Sequence, residues 1–330
     1  MILKRVVVTG LGALTPIGNT IPEFWNGLKS GKSGAAPITR FDATLYKTKF
    51  ACEVKNFDIG NFMDRKEARK MDPFAQFAMV AVDEAIKDSN LPLAELNPDR
   101  VGVIWGSGIG GLLTFQEEVK TYARGDGTPR FNPFFIPKMI PDLSAGHISI
   151  KYGFRGPNFV TVSACASSTN AIYDAFTFLR LGKADIIVSG GSEAAVCEAG
   201  VGGFNAMRAL SERNDSPETA SRPYDKERDG FVLGEGAGAL ILEEYEHAKK
   251  RGAKIYGEII GGGMSADAYH ITAPHPEGAG ITRVMYNALE EAGIQASEID
   301  YINTHGTSTP WVISVRSEPY KKYSASMLSR

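Results

Sequence analysis

Short apolar runs alternate along the chain with longer segments in which apolar residues recur every three or four positions. The runs predict buried strands, and the wider spacing predicts amphipathic helices that pack on them. We predict strands at residues 6–9, 101–105, 159–162, 185–189 and 239–243, and helices at residues 22–29, 74–90 and 166–181. This alternation is typical of an α/β protein with a mostly parallel sheet covered by helices.

The clearest helix signal begins at Asp72. An aspartate followed by Pro73 marks a helix start, because the carboxylate caps exposed N–H groups and proline fits the first turn. Phe74 and Phe77 then open an apolar face that continues to Ile86. We expect this helix to be buried against the sheet.

The order strand, glycine turn, helix, strand, glycine turn occurs twice along the chain. The second copy comprises a strand at residues 255–260, a helix at 281–293 and a strand at 299–304, with glycines placed as in the first copy. The recurrence predicts two related halves, although chance could produce it among α/β segments. We divide the chain into residues 1–253, a first half, and residues 254–310, a partial second half.

Composition and charge narrow the class of protein. The chain has 330 residues, 43% of them hydrophobic, and a net charge of −2, so no global charge favours nucleic acid or an anionic membrane as partner. No apolar run approaches the about 20 residues that span a bilayer. The N-terminus begins with a strand pattern rather than a signal peptide. We therefore expect a cytoplasmic protein.

The cysteines and histidines are few and scattered. Three cysteines and five histidines occur, with no Cys-x-x-Cys and no His-x-x-x-His spacing. Such a distribution favours neither a disulfide framework nor a metal site, and we expect no bound metal.

Gly10–Gly12 follow a predicted strand, which is where a dinucleotide-binding turn would lie. The phosphate-binding fingerprint requires a third glycine where Thr15 stands, and then a helix. Pro16 and Gly18 follow instead and break a helix. A tight turn at the strand end is the favoured interpretation.

Cys165 is the first candidate for chemistry. It lies in the small-residue segment 163–168, with a strand predicted before it and a helix after it. Unpaired N–H groups at a helix N-terminus favour a thiolate and can stabilise an oxyanion. The alternative is a small buried hydrophobic residue, which is how we interpret Cys52 and Cys197.

His305 is the second candidate. It stands at the end of the predicted strand 299–304, where open α/β sheets place ligands, and glycine and hydroxyl residues follow it. A cysteine and a histidine on two strand ends suggest acyl transfer through a thioester. A hydrogen-bonded structural histidine remains the alternative.

Several segments together resemble the condensing enzymes of the β-ketoacyl-acyl-carrier-protein synthase family. These segments are collinear, and their combination is specific: residues 106–111, 162–168, 203–211, 222–225, 228–231, 234–238 and 303–309. The resemblance implies a thiolase-like, layered α-β-α-β-α fold with two related halves, of which the second is incomplete. A thiolase is a weaker alternative, because thiolases use a second cysteine as base and neither Cys52 nor Cys197 lies in a matching motif.

The resemblance implies a two-stage mechanism. An acyl group passes from the phosphopantetheine thiol of acyl carrier protein to Cys165. Malonyl-carrier protein then loses carbon dioxide, and its carbanion attacks the acyl-cysteine to give a 3-oxoacyl product. His305 matches a catalytic histidine whose N–H stabilises the malonyl thioester oxygen. No cofactor is expected, because the phosphopantetheine arm arrives on the carrier protein.

The resemblance also implies the residues that contact substrate and partners. Thr307 and Thr309 match contacts of the phosphopantetheine arm, and Ile109 and Phe204 match the lining of an apolar acyl pocket. Family members pair as homodimers through the strand at residues 159–162. Basic residues that would dock the acidic carrier protein are Lys66, Arg69, Lys70, Arg124 and Arg208; a solvated charged face is the alternative.

The resemblance ends after Pro310. Family members continue with a second catalytic histidine and a Gly-Phe-Gly loop, and residues 311–330 contain neither. Codons shifted by one nucleotide can spell a family-like continuation, so we hypothesise that residues 311–330 are a frameshifted reading. Each missing donor typically lowers the rate about 10²- to 10³-fold. We therefore expect little condensation activity, and an inactive fragment that at most binds carrier protein is the alternative.

Overall fold

The computed structural model describes residues 3–310; the hypothesis on residues 311–330 lies outside them. The strands are β1 (Val6–Leu14), β2 (Ala36–Pro37), β3 (Phe50–Ala51), β4 (Val101–Gly106), β5 (Asn158–Thr161), β6 (Ile186–Glu193), β7 (Gly236–Glu244) and β8 (Gly257–Ile259). The helices are α1 (Ile21–Lys29), α2 (Arg65–Ala68), α3 (Pro73–Ser89), α4 (Leu112–Ala123), α5 (Phe135–Met139), α6 (Leu143–Tyr152), α7 (Ser167–Arg180), α8 (Glu198–Ala206), α9 (Tyr245–Lys250) and α10 (Ala279–Ala292).

Contacts within the chain divide the described residues into two units. The first unit contains residues 3–44, 51–203 and 233–259, and the second contains residues 45–50, 204–232 and 260–310. The proposed division into halves near residue 253 stays a prediction.

The first unit is built on a six-stranded mixed sheet in the order β5-β4-β6-β7-β1-β8. β4 runs parallel to β5 and β6, whereas β7 is antiparallel to β6 and β1, and β8 is antiparallel to β1. The prediction of a mostly parallel sheet is therefore wrong. Helices cover both faces of this sheet, so its strands are buried on both sides. Antiparallel strands buried in this way have the same continuous apolar runs as parallel strands, and the sequence pattern does not distinguish them.

Two apolar layers flank this sheet. On one face, Phe74 and Phe77 of α3 belong to a buried cluster with Trp105 and Ile241. On the other face, residues of α7 pack with Ile104 and other strand residues. The side chains of the successive residues Ile104 and Trp105 pack in opposite layers, because side chains alternate between the two faces along a strand. The predicted burial of the helix that begins after Asp72 is confirmed.

Gly10 and Gly12 lie inside β1 rather than in a turn after it, so the predicted turn is wrong. A Cβ atom would lie 2.3 Å from the carbonyl oxygen of Ala85 at Gly10, and 1.9 Å from that of Ala81 at Gly12. The glycines thus permit α3 to pack directly on the strand backbone.

The second unit contains a similar contact. A Cβ atom at Gly261 would lie 3.0 Å from the carbonyl oxygen of Ala288, and one at Gly263 would lie 2.3 Å from that of Val284, both in α10. As in β1, two glycines two positions apart meet two helix residues four positions apart. This matching contact supports the inferred internal repeat.

The predicted strand at residues 299–304 is wrong, because the structure has no strand between residues 260 and 310. A strand needs a neighbour for its N–H and C=O groups, and no ladder within the described residues includes this segment. An apolar run does not reveal whether such a neighbour is present. Between residues 3 and 310, no helix combines the length and the apolar character that crossing a bilayer requires.

Candidate active site

Cys165 lies in a one-turn 3₁₀ segment, Ala164–Ala166, between the end of β5 and the start of α7. This confirms the predicted strand–turn–helix setting, and the Cys165 side chain is exposed. Cys52 is partly buried and Cys197 is buried. Burial raises the pKa of both of these thiols. Since a thiolate is the nucleophilic form, Cys165 is the cysteine best placed to react.

Ser167 fixes the backbone of residues 163–166, the turn that carries Cys165 and is called the nucleophile turn below. Its Oγ accepts the N–H of Ser163 at 2.9 Å and donates to the carbonyl oxygen of Ala164 at 2.7 Å. Asn170 donates to Oγ of Ser163 at 2.7 Å. These bonds hold Ala164 at a φ of 50°, a left-handed conformation that non-glycine residues adopt at a cost. Such strain is characteristic of functional turns.

Glycines at the strand ends bring the sheet close to the first turn of α7. A Cβ atom at Gly106 would lie 2.6 Å from the backbone nitrogen of Ser168, and one at Gly191 would lie 1.9 Å from Oγ of Ser168. The ends of β4 and β6 can therefore approach the nucleophile helix only because these residues have no side chain.

Glu193, at the end of β6, is the site residue that sequence reasoning missed. Its carboxylate accepts the backbone N–H groups of Gly108 and Ile109 at 2.9 Å each and that of Gly110 at 3.1 Å. Burial raises the pKa of this carboxyl, although the three N–H groups oppose the shift. Residues 107–110 form the glycine turn that follows β4. The N–H groups of residues 108–110 are thus hydrogen-bonded to a carboxylate of the same chain. The only sequence signal is an acidic residue at the end of an apolar strand.

The four residues assigned to substrate binding lie in both units. Ile109 belongs to the first unit and is 38% exposed. Phe204 belongs to the second unit, where its ring packs edge-on against Phe231 with 5.3 Å between centroids. The hydroxyl oxygens of Thr307 and Thr309 lie 2.8 Å apart. Their roles in binding stay predictions.

His305 is exposed and belongs to the second unit, so Cys165 and His305 come from different units. The segment after it is firmly held. Ser308 is buried; its Oγ accepts the N–H of Arg222 at 3.0 Å, and its carbonyl oxygen accepts the N–H of Gly230 at 3.1 Å. The guanidinium of Arg228 donates to the carbonyl oxygens of Thr309 and Pro310.

The basic residues assigned to carrier-protein docking differ in their freedom to bind a partner. Lys66 and Arg69 are exposed and form no ion pair within residues 3–310, whereas Lys70 pairs with Glu67 at 2.7 Å. Arg124 is exposed at the end of α4 in the same unit. Arg208 is exposed in the second unit and has a φ of 53°. The docking role stays a prediction.

Within the described part of the chain, no cluster of three or more His, Cys, Asp or Glu side chains could hold a metal ion.

Two family models match the chain in succession. The model described as Beta-ketoacyl synthase, N-terminal domain, matches residues 3–248, and that described as Beta-ketoacyl synthase, C-terminal domain, matches residues 256–312. Together they cover most of the sequence.

Known proteins agree with this match. The 3-oxoacyl-[acyl-carrier-protein] synthase 2 of Synechocystis sp. is 53% identical over 93% of this chain and 74% of its own. A β-ketoacyl synthase from Burkholderia phymatum superimposes with a TM-score of 0.90 at 33% identity, over 97% of this chain and 78% of its own. AntDE:AntF, a ketosynthase in complex with its acyl carrier protein, gives a TM-score of 0.84 at 33% identity over the same shares. These similarities confirm the predicted thiolase-like layered fold.

Proposed function

Because this chain belongs to the β-ketoacyl synthase family, we propose that it lengthens acyl chains carried on an acyl carrier protein, with Cys165 as nucleophile. The reaction is a decarboxylative condensation in fatty-acid elongation. The protein acts in the cytoplasm as a homodimer and needs no cofactor of its own, because the phosphopantetheine arm arrives on the carrier protein.

The first stage is acyl transfer. The thiolate of Cys165 attacks the thioester carbonyl of the acyl-carrier protein, and the bond from carbon to the carrier sulfur breaks. The carrier leaves as a thiolate, which takes up a proton from water. Backbone N–H groups at the start of α7 are suited to stabilise the oxyanion. The observation that carries the proposal is an exposed Cys165 on a turn fixed by Ser167 at this helix N-terminus.

The second stage forms the carbon–carbon bond. Malonyl-carrier protein loses carbon dioxide, and the electron pair left on its α-carbon attacks the carbonyl of acyl-Cys165. The carbon–sulfur bond to Cys165 breaks, which returns the thiolate and releases 3-oxoacyl-carrier protein. We assign to His305 the N–H that stabilises the malonyl thioester oxygen, to Thr307 and Thr309 the phosphopantetheine arm, and to Ile109 and Phe204 the acyl chain.

Charge supports the carrier protein as partner. Lys66 and Arg69 are exposed and form no ion pair within residues 3–310. Their positive charges can therefore attract an acidic carrier protein. We assign Lys66, Arg69, Lys70, Arg124 and Arg208 to this docking. AntDE:AntF, in which a ketosynthase is bound to its acyl carrier protein, is consistent with this kind of partner.

The proposed homodimer uses β5. This strand lies at the edge of the six-stranded sheet, so one side of its backbone has no neighbour in that sheet. An edge of this kind can pair with a strand of a second copy. Sedimentation velocity should give a dimer, and a monomer at micromolar concentration would contradict the pairing.

The experiment that tests the function follows the acyl group. The 330-residue chain is incubated with acyl-carrier protein and digested, and mass spectrometry locates the acyl mass; Cys165→Ala is the control. We expect an acyl group on Cys165 of the unsubstituted chain and none in the Cys165→Ala variant. Malonyl-carrier protein should then discharge the acyl group as a 3-oxoacyl product, and the rate of this step tests the low condensation activity that the sequence predicts. If the chain without substitution is not acylated, the result would favour the alternative that it is an inactive fragment.

A further inference from the structure

The carboxylate of Glu193 organises the glycine turn that follows β4. Three consecutive backbone N–H groups, those of Gly108, Ile109 and Gly110, donate to its two oxygens at 2.9–3.1 Å. Ser107 adds a longer hydroxyl contact of 3.4 Å. Hydrogen bonds to an ionised acceptor are stronger than neutral ones, so this single side chain fixes the turn.

The same turn touches the backbone before the nucleophile. A Cβ atom at Gly108 would lie 3.0 Å from the carbonyl oxygen of Ala164 and 3.2 Å from Oε2 of Glu193. Gly108 is therefore enclosed between the carboxylate and the residue that precedes Cys165. A shift of the turn by a few tenths of an ångström would be felt at Ala164, because packed interiors transmit small displacements.

The turn also fixes the backbone of Ile109. Its N–H is bound to Glu193 while its side chain is 38% exposed. The carboxylate thus fixes the backbone from which this apolar side chain projects.

We propose that Glu193 is a positioning residue for acyl transfer, which sets the acyl-chain preference of Cys165 by holding Ile109 and the glycine turn in place. The inference rests on the proposed function, because it assumes that acyl groups reach Cys165 past Ile109.

The first test is Glu193→Gln. The amide keeps one acceptor oxygen, but its NH₂ group faces an N–H donor in place of the second oxygen. Acylation of Cys165 is followed with a series of acyl-carrier proteins from short to long chains. We expect the acylation rate to fall roughly tenfold or more, and the ratio of long-chain to short-chain rates to change at least about threefold.

Glu235→Gln is the matched control. Glu193 is half-buried, and Glu235 is a buried carboxylate of the same first unit. Like Glu193, Glu235 accepts a backbone N–H, that of Val54 at 2.9 Å, and it also pairs with Arg40. This variant should lower the melting temperature without changing the ratio of long-chain to short-chain rates. A preference that changes equally in both variants would assign Glu193 a purely structural role and overturn the proposal.

A double variant tests whether Glu193 acts through Ile109. In an Ile109→Ala background, Glu193→Gln should alter the chain-length ratio much less than in the unmodified chain, because coupled residues are non-additive. Additive effects would contradict the proposal. Should Glu193→Gln fail to fold, Glu193→Asp, which retains both oxygens on a shorter side chain, should still change the ratio of long-chain to short-chain rates. An unchanged ratio in that variant also overturns the proposal.

Failure of this inference is distinct from failure of the proposed function. If the unmodified chain is acylated at Cys165 and Glu193→Gln keeps its chain-length preference, the inference is wrong and the function stands. If the unmodified chain is not acylated at all, the function itself fails.

Discussion

At the scale of single residues, Ser167 is the side chain on which the nucleophile turn depends. It is buried and makes one hydrogen bond on each side of the strained Ala164. We predict that Ser167→Ala lowers the free energy of unfolding by about 0.5–1.5 kcal/mol, because the N–H of Ser163 and the carbonyl of Ala164 lose their partner. The alkylation rate of Cys165 should change as well.

Urea denaturation and iodoacetamide labelling measure these two effects. Thr169→Ala is the control, because Thr169 is exposed in the same helix and should change neither quantity appreciably. A Ser167→Ala variant with unchanged stability and unchanged labelling would show that the turn holds its shape without these bonds.

How far the sequence predicts a site residue depends on where its partners lie. The setting of Cys165 could be predicted because strand, small residues and helix follow one another within one segment. The role of Glu193 could not be predicted, because the N–H groups that bind its carboxylate belong to residues more than 80 positions earlier in the sequence. Only the strand order brings these groups together.

At the scale of elements, the contact of β1 with α3 depends on glycine. We predict that Gly12→Ala destabilises the protein by about 2–3 kcal/mol or more, because the new methyl group would meet the carbonyl oxygen of Ala81. Gly238→Ala is the matched control: Gly238 pairs with Ala13 in the neighbouring strand, and its Cβ would meet open space.

Thermal and urea unfolding of the two variants give the comparison. Gly238→Ala should be neutral or stabilising by up to about 1 kcal/mol, since alanine reduces the entropy of the unfolded chain. Equal destabilisation by both changes would contradict the close-packing explanation.

A buried charge cluster joins β7 to α9. Glu243 is fully buried; it accepts from Thr9 and Arg251 and lies 2.6 Å from Nδ1 of His247. Burial alone would raise the pKa of Glu243, but hydrogen bonds from Arg251, His247 and Thr9 lower it below its usual 4.5. The hydrogen bond to Glu243 raises the pKa of His247 above its usual 6.5.

The sign of the pH dependence follows from these shifts. The stabilisation by His247 is complete below pH 6.5 and is lost as the pH rises through its raised pKa. That by Glu243 is present above pH 4.5 and is lost as the pH falls through its lowered pKa. We predict that His247→Gln costs most stability between about pH 5 and 6 and least once the pH has risen well above the raised pKa of His247. Urea unfolding across this range measures the difference, and a cost independent of pH would contradict the ion pair.

The elements themselves were largely predictable, but their pairing was not. The apolar runs located β1, β4, β5, β6 and β7, and the apolar face located α3. Strand direction is absent from those runs, because a strand buried on both faces has the same composition whichever way it runs. The prediction of a strand at residues 299–304 is wrong for a related reason, since a strand needs a hydrogen-bonded neighbour and the apolar run does not show whether one is present.

At the scale of the whole molecule, association with an acidic carrier protein should depend on long-range charge. We predict that Arg69→Glu raises the KM for acyl-carrier protein several-fold with little change in kcat, because steering affects encounter more than chemistry. Lys183→Glu makes the same change of charge at another exposed position and should leave KM nearly unchanged.

Steady-state kinetics at two ionic strengths test this assignment. The difference between Arg69→Glu and the unmodified chain should shrink as salt shortens the Debye length from about 10 Å at 0.1 M to about 3 Å at 1 M. An effect of Arg69→Glu that persists unchanged at high salt would point to a local structural change instead.

The glycine contacts of β1 also bear on how the native state opens. With Gly10 and Gly12 set against the backbone of α3, a small separation of strand and helix leaves a gap that no side chain can fill. The amide hydrogens of β1 and α3 should therefore exchange with deuterated solvent as one cooperative unit, at a rate governed by global unfolding. The three-residue edge strand β8 should exchange earlier, through local fraying.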